Sequence, residues 1–322
     1  MTAINIEPII KKVRESLKNH RTETGYARYP GKDDNEYGIA DALNIMFTID
    51  GLPSRGEIDL LTGRLKEFQS PETGLFDEGT HHPCHCTAHC IAALELFSES
   101  PRYDVTALDR YHSASSAAEL LSSLEWATTN RSGHIGAGIF SALYLTKTMT
   151  PGWEDAFFDW LTENSDPETG ISVKGAVSAG LIPMWNHMAD WFHFLFCFHA
   201  SRRAFPNAEK LVDSCIKMYD EKLMPESFGR GQRFLDVDWT FTLNRASVQS
   251  GYRLGESRER LEAFTRGFTD YLRNSDLSEP QWRDMHLMFG AVCALSELQT
   301  ALPGLLRSRR ALRQVLDIRP FI

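Results

Sequence analysis

The chain has no extended Lys/Arg-rich block, and no apolar run approaching the roughly 20 residues that a membrane-spanning helix requires. Its most apolar stretch, Trp191 to Phe198, is interrupted at His193. With 34 Lys plus Arg against 43 Asp plus Glu, the net charge of −9 argues against a nucleic-acid backbone or an anionic membrane surface as the main partner. The first twenty residues lack the basic, apolar and small-residue regions of a secretory leader, which predicts a cytoplasmic protein. Six Cys in 322 residues, three of them at Cys84, Cys86 and Cys90, do not form an extracellular disulfide framework, so reduced thiols are expected. Strand-like alternation of β-branched residues is scarce. There is no phosphate-binding Walker loop, no Gly-x-Gly-x-x-Gly, no HExxH and no Gly-x-Ser-x-Gly elbow. Aromatic residues make up 11% of the chain, which excludes a disordered polymer and supplies a sizeable core.

What the sequence does contain is a repeat. Residues 55–76, RGEIDLLTGRLKEFQSPETGLF, and residues 152–171, GWEDAFFDWLTENSDPETGI, are both amphipathic helices running into a PETG turn. A weaker third copy runs from IEPIIKKVRESLKNH into TETGYARY. Between the amphipathic helices lie segments that are apolar or small almost all round, as helices buried on most sides are. They start near Tyr37, His85, His134, Trp185, Asp236 and Asp284, while the amphipathic helices fall near 5–20, 55–69, 115–126, 152–164, 208–222 and 257–274. Six outer and six inner helices predict an all-α fold, an (α/α)6 toroid spanning 1–322 as one domain.

The phrase FQSPETGLF followed by HCTAHCIAALELF resembles the repeats of the terpenoid-cyclase and protein-prenyltransferase toroid superfamily. Six-hairpin glycosidases and toroidal polysaccharide lyases share that architecture. The motif covers about twenty residues, whereas helix order covers most of the chain, so the resemblance bears on fold more than on function. It implies that the inner helices run the same way and that their N-terminal ends converge on one mouth. The residues placed there are Tyr26, Arg28, Tyr29, Asp34, Tyr37 and Asp41, then Asp77, Glu78, His81, His82, His85 and His89, then His134, Trp185, His187 and Asp190, then Asp236, Asp238 and Trp239, and finally Trp282, Asp284 and His286. Seven of the eleven His fall at or near this end.

Within this set, His85 and His89 are four apart on a helix and share a face, the spacing at which two imidazoles chelate a metal. Zinc is therefore the one cofactor the sequence leaves open, although hydrogen-bonded pocket histidines give the same pattern. Without a metal, His82, His85 and His89 suit proton transfer. His187 and Asp190 are three apart, as an acid/base dyad would be, and Asp190 and His193 repeat the spacing. Asp236 and Asp238 open an inner helix, where one carboxylate is explained as a cap and a second would couple to it, pushing one pKa up. LDVDWTF is similar to the acid motif of class II terpene cyclases, with Trp239 where a further Asp would stand. The zinc ligands of the prenyltransferases have no counterpart.

Tyr26, Arg28, Tyr37, Asp41, His134, Trp185, Trp239, Trp282 and His286 are read as substrate-binding; Trp faces stack on sugars, and an Arg such as Arg28 or Arg230 neutralises a substrate carboxylate. The reading is an enzyme that binds a small or oligomeric carbohydrate-like molecule and uses His and Asp for hydrolysis or β-elimination. The alternatives are a terpenoid-cyclase-like isomerase that protonates an isoprenoid through Asp236 or Asp238, and a toroid that binds without catalysis. No feature fixes an oligomeric state.

Overall fold

The computed structural model describes residues 2–128 and 131–322. It is all-α apart from one short parallel pairing of β1 (Ile4–Asn5) with β2 (Leu306–Arg307). In chain order the helices are α1 (Glu7–Asn19), α2 (Glu36–Thr48), α3 (Arg55–Glu67), α4 (Pro83–Glu95), α5 (Ala114–Ser122), α6 (Ser132–Thr146), α7 (Pro151–Asn164), α8 (Met184–Ala200), α9 (Ala208–Asp220), α10 (Leu235–Ser250), α11 (Leu254–Asn274), α12 (Pro280–Arg283) and α13 (Met285–Ala301). All twelve helices expected from the alternating pattern are present, and the four-residue α12 is added before the last of them.

Side chains set many of the boundaries. Asn35, Ser54, Ser113, Thr150 and Asp284 each accept a backbone N–H in the first turn of the helix that follows, and Pro83 and Pro151 occupy first-turn positions where no N–H is needed. The two PETG segments fold alike. Gly74 N–H bonds to Ser70 O at 2.9 Å, Gly170 N–H bonds to Asp166 O at 2.8 Å, and both glycines have positive φ. The third copy differs: Gly25 N–H bonds to the Thr22 side chain, and Arg21 pairs with Tyr26 in an antiparallel bridge.

The nearly all-apolar helices contact one another in a cycle: α2 packs on α4, α4 on α6, α6 on α8, α8 on α10, α10 on α13, and α13 returns to α2. The amphipathic helices cover them. In α7, Trp153, Phe157, Phe158 and Leu161 are buried, and Phe157 and Phe158 lie 5.0 and 5.2 Å from the Phe140 ring of α6. Each such aromatic removed from water contributes roughly 1.5–3 kcal/mol. Trp239 belongs to this packing, stacking on Tyr219 of α9 and donating its Nε1–H to Cys215 O at 3.0 Å. Trp282, in α12, is buried with its Nε1–H on Ser275 Oγ. The even-spaced Phe192, Phe194, Phe196 and Phe198 are all buried, as core aromatics are. The six Cys are unpaired thiols.

The segment after β2 turns inward. Arg319 is buried, donates to Ala92 O of α4 at 2.9 Å, and reaches Asn44 of α2 and the Phe321 carbonyl. Burial without a carboxylate partner pushes its guanidinium down to about 9. Phe321 and Ile322 lie inside the ring of helices, with the Phe321 ring 4.7 Å from His85 and 5.4 Å from Phe196.

Two glycines of α6 set its distance from its neighbours. A Cβ on Gly133 would meet Asp190 O of α8 at 2.5 Å, and one on Gly138 would meet the Cys84 carbonyl of α4 at 2.8 Å. Backbone cannot move aside as a flexible side chain can. Gly138→Ala should therefore lower stability by about 1–3 kcal/mol, whereas Gly267→Ala, exposed in mid-α11 with nothing near its Cβ, should raise it by about 0.5–1 kcal/mol. Urea unfolding of the two variants beside the parent checks both signs.

Candidate active site

The first turns of α4, α6, α8, α10 and α13 and the loops before them surround a cavity of about 280 Å³. Its walls include Arg28, His81, His85, His134, Trp185, Asp190, Phe192, His193, Arg233, Phe234, Asp238 and His286, and Ile322 reaches it from inside the ring. Five of the eleven His line this one space.

His85, His134 and His193 come from α4, α6 and α8, and one ring nitrogen from each lies within 4.8 Å of the others. The glycines of α6 let them come together, since a Cβ on Gly133 would stand 2.9 Å from the His193 Cβ and one on Gly138 would stand 3.0 Å from His85 N. Nδ1 of His85 is taken up by Tyr37 Oη at 2.7 Å. Nδ1 of His193 donates to Ala189 O at 3.0 Å. Burial first, and the neighbouring imidazoles second, hold His85 and His134 well below the ordinary histidine range; burial chiefly lowers His193, to about 4. All three are neutral bases at neutral pH.

A second cluster lies beside this one. Asp41 of α2 is fully buried, and its Oδ1 accepts from His89 Nε2 at 2.9 Å and from His286 Nδ1 at 3.1 Å. Burial alone would raise Asp41, but the two imidazoles outweigh it and hold the carboxylate far below its usual range. Asp41 Oδ2 and His89 Nδ1 are buried without partners. Because His286 gives its Nδ1–H to a carboxylate, its other nitrogen carries a free lone pair on a residue that lines the cavity; burial lowers this imidazole to about 4 against the opposing pull of Asp41. Glu78 orients His81 in the same way, accepting from Nδ1 at 2.7 Å. Burial would raise Glu78 too, but hydrogen bonds from His81 and Thr80 bring it down to about 2.

The cavity carboxyls behave in the opposite sense. Asp190 is pushed up to about 7 by burial, against one hydrogen bond from Gly133 N at 2.7 Å. Asp238 is raised well above the carboxylate range by burial and then by the charge of Asp236, and its Oδ1 has no partner. Asp236 itself faces the preceding loop, accepting from Gly229 N at 2.6 Å and Gly231 N at 2.7 Å. Burial raises it to about 7.

The remaining sequence-selected residues lie elsewhere or are already engaged. His82 caps α4, its Nδ1 accepting from Cys84 N at 3.2 Å, and does not line the cavity. His187 is buried with Nε2 unpartnered and makes no contact with Asp190, whose Oδ1 goes to Gly133. Tyr26 packs on the outer face under Arg21. Trp239 and Trp282 are in the core, and of the three Trp only Trp185 reaches the cavity. Tyr37 lies beneath the cavity wall, stacked on His81 at 4.6 Å. Arg28 lines the cavity, yet its fork is held bidentately by Asp284 at 3.0 and 3.1 Å. Arg230 pairs with Glu226 outside the cavity.

Sequence reasoning did not select Arg233, which is exposed, lies 5.7 Å over the Trp185 ring and makes no ion pair among the described residues. Its place just before α10 was the available signal. His193 carried one as well, three residues after Asp190 on the same helix face.

Comparison with protein-family models, with curated proteins and with solved structures returns no match to this chain. No described helix is long and apolar enough to cross a membrane.

A carboxyl whose native pKa is raised keeps its proton in the folded state after the unfolded chain has released it. Its stabilising contribution is full below about pH 4 and is lost as the pH rises through 7. Asp190→Asn does not titrate. The stability of the parent relative to this variant should therefore fall by about 2 kcal/mol between pH 5 and pH 7 and level off above pH 8. Denaturant titrations of both proteins across that range measure the difference, and a flat difference would mean that Asp190 ionises normally.

Proposed function

We propose that the cyclic packing of α2, α4, α6, α8, α10 and α13 is that of an (α/α)6 toroid. On this reading the cavity at its N-terminal mouth is the active site of an enzyme that cleaves a sugar-acid glycoside by β-elimination, or hydrolyses it with the same groups. One observation carries the reading: the same small cavity is lined by carboxyls held protonated, Asp190 and Asp238, and by imidazoles held neutral. Proton donor and proton acceptor are then both in the correct state near neutral pH, which proton transfer at carbon and at a glycosidic oxygen requires.

In this mechanism Asp41 fixes His286 with Nδ1–H outward from the cavity, so Nε2 takes the proton α to the sugar carboxylate. Arg233, free of protein carboxylates, pairs with that carboxylate and stabilises the charge that builds on it, while Trp185 lies against the ring. The bond to the leaving oxygen breaks as the ring double bond forms, and Asp190 or Asp238 supplies the proton that the oxygen gains. Arg28 positions the mouth through Asp284 and is not the substrate anchor.

A terpenoid-cyclase-like protonation is the second reading. It is favoured by the unpartnered, protonated Asp238 beside Phe192, Phe234 and Trp185.

Uronic-acid oligosaccharides incubated with the protein should give a product with new near-ultraviolet absorbance for elimination, or new reducing ends alone for hydrolysis. His286→Gln should lower kcat by about 10²–10⁴. Arg233→Ala should both raise KM and lower kcat, cutting kcat/KM by about 10-fold or more. Turnover of isoprenoids with none of uronic acids would select the second reading.

A further inference from the structure

We infer that His85, His134 and His193 form a metal centre for one zinc-class divalent cation at the wall of the cavity. Three observations lead there. The ligand-capable nitrogens converge from three separate helices to within 4.8 Å of one another, and no ring bonds another. His193, with its Nδ1–H on Ala189 O, turns a lone pair toward the group, and His85 and His134 each present one in the tautomer that carries the proton on the other nitrogen, an arrangement that a shared cation satisfies. Around a tetrahedral zinc with Zn–N bonds of about 2.0–2.1 Å, nitrogens stand roughly 3.4 Å apart, so small ring rotations complete the site.

The surrounding contacts orient the rings as metal-binding histidines are oriented. A backbone carbonyl can only accept, so His193 carries its proton on Nδ1 and presents Nε2 as a lone pair. In His85, Nδ1 is engaged by Tyr37, which leaves Nε2 as the atom facing the other two rings. Phe321 closes the far side of His85 edge-on at 4.7 Å.

The set contains nitrogen only, without thiolate or carboxylate, which suits zinc and its neighbours rather than calcium or magnesium. Three protein ligands and an open side toward the cavity match sites that hold a water as fourth ligand, where the cation brings the water's pKa to about 7.

The neighbouring Asp41, His89 and His286 group is arranged differently. Asp41 Oδ1, His89 Nε2 and His286 Nδ1 already bond one another, so these atoms are satisfied without a cation, while Asp41 Oδ2 and His89 Nδ1 stay unpartnered. The pairing of His85 with His89, which helix spacing alone selects, is replaced by His85 with His134 and His193. The inference does not depend on which substrate enters the cavity.

The test uses the full chain stripped with a chelator and titrated with zinc chloride against a metal-binding dye. One zinc per chain with a dissociation constant below about 1 μM is expected. His134→Ala and His193→Ala should weaken binding by about 100-fold or more, and His89→Gln should leave it unchanged. Each variant is first matched to the parent by circular dichroism. Should His134→Ala or His193→Ala not fold, X-ray absorption of the zinc-loaded parent decides: three imidazoles and one oxygen support the site. No zinc uptake, any other pattern among the variants, or a coordination shell with fewer than three imidazoles overturns it.

Discussion

With no Cβ at Gly133 or Gly138, α6 lies between α8 and α4 at distances that any other residue would prevent, and the cavity inherits its geometry from those two backbone contacts. His134 is carried on the same turn as Gly133. The first contact places it beside His193 and supplies the N–H that holds Asp190, and the second places it beside His85. Side-chain packing elsewhere tolerates exchange of one apolar residue for another of similar volume. Backbone seated on backbone does not, so the spacing of these rings is fixed more firmly than their chemistry.

The chemistry follows from one electrostatic rule applied in opposite directions. Burial disfavours whichever form of a group is charged, so it makes Asp190 and Asp238 acids that keep their protons and His85, His134, His193 and His286 bases that stay free of them. The exceptions are carboxylates that have partners. Asp41 stays ionised in the same surroundings because the attraction of two imidazoles and then their hydrogen bonds outweigh desolvation, and Glu78 because hydrogen bonds from His81 and Thr80 do. The wall thus carries neutral acids and neutral bases, and Asp41 and Glu78 behind it are fixed anions that aim His286 and His81. Arg28 is absorbed by Asp284, which leaves Arg233, among the described residues lining the cavity, as the cation open to an anionic visitor.

Much of this could be read in the residues, because helix periodicity and caps are local. The alternation of amphipathic and apolar segments located every long helix, and convergence of the apolar helices' starts placed His85, His134, Trp185, Asp190, Asp238 and His286 around one space. Rotation about each helix axis was not legible. A one-residue difference turns a side chain by about 100°, and this separates Asp238, on the cavity, from Trp239, which packs against α9, and from Asp236, which faces its own loop. His85 and His89 share a helix face, yet four residues of rise place them in different clusters. Whether an Arg is free also depends on partners distant in the chain. Arg28 meets a residue 256 positions away, a contact invisible to spacing.

The cycle of contacts has an order in time as well as in space. The apolar helix α2 has α4 on one side and α13 on the other, and β1 pairs with β2 some 300 residues later. During synthesis α2 emerges with half its apolar surface lacking a partner until nearly the whole described chain has been made. Arg319 and Phe321, which bridge α2, α4 and α8 from within, arrive later still. The cavity wall behind His85 is therefore among the last surfaces to be completed. A ribosome-bound chain that has released α1 to α10 carries most of the histidines without the structure that holds them together.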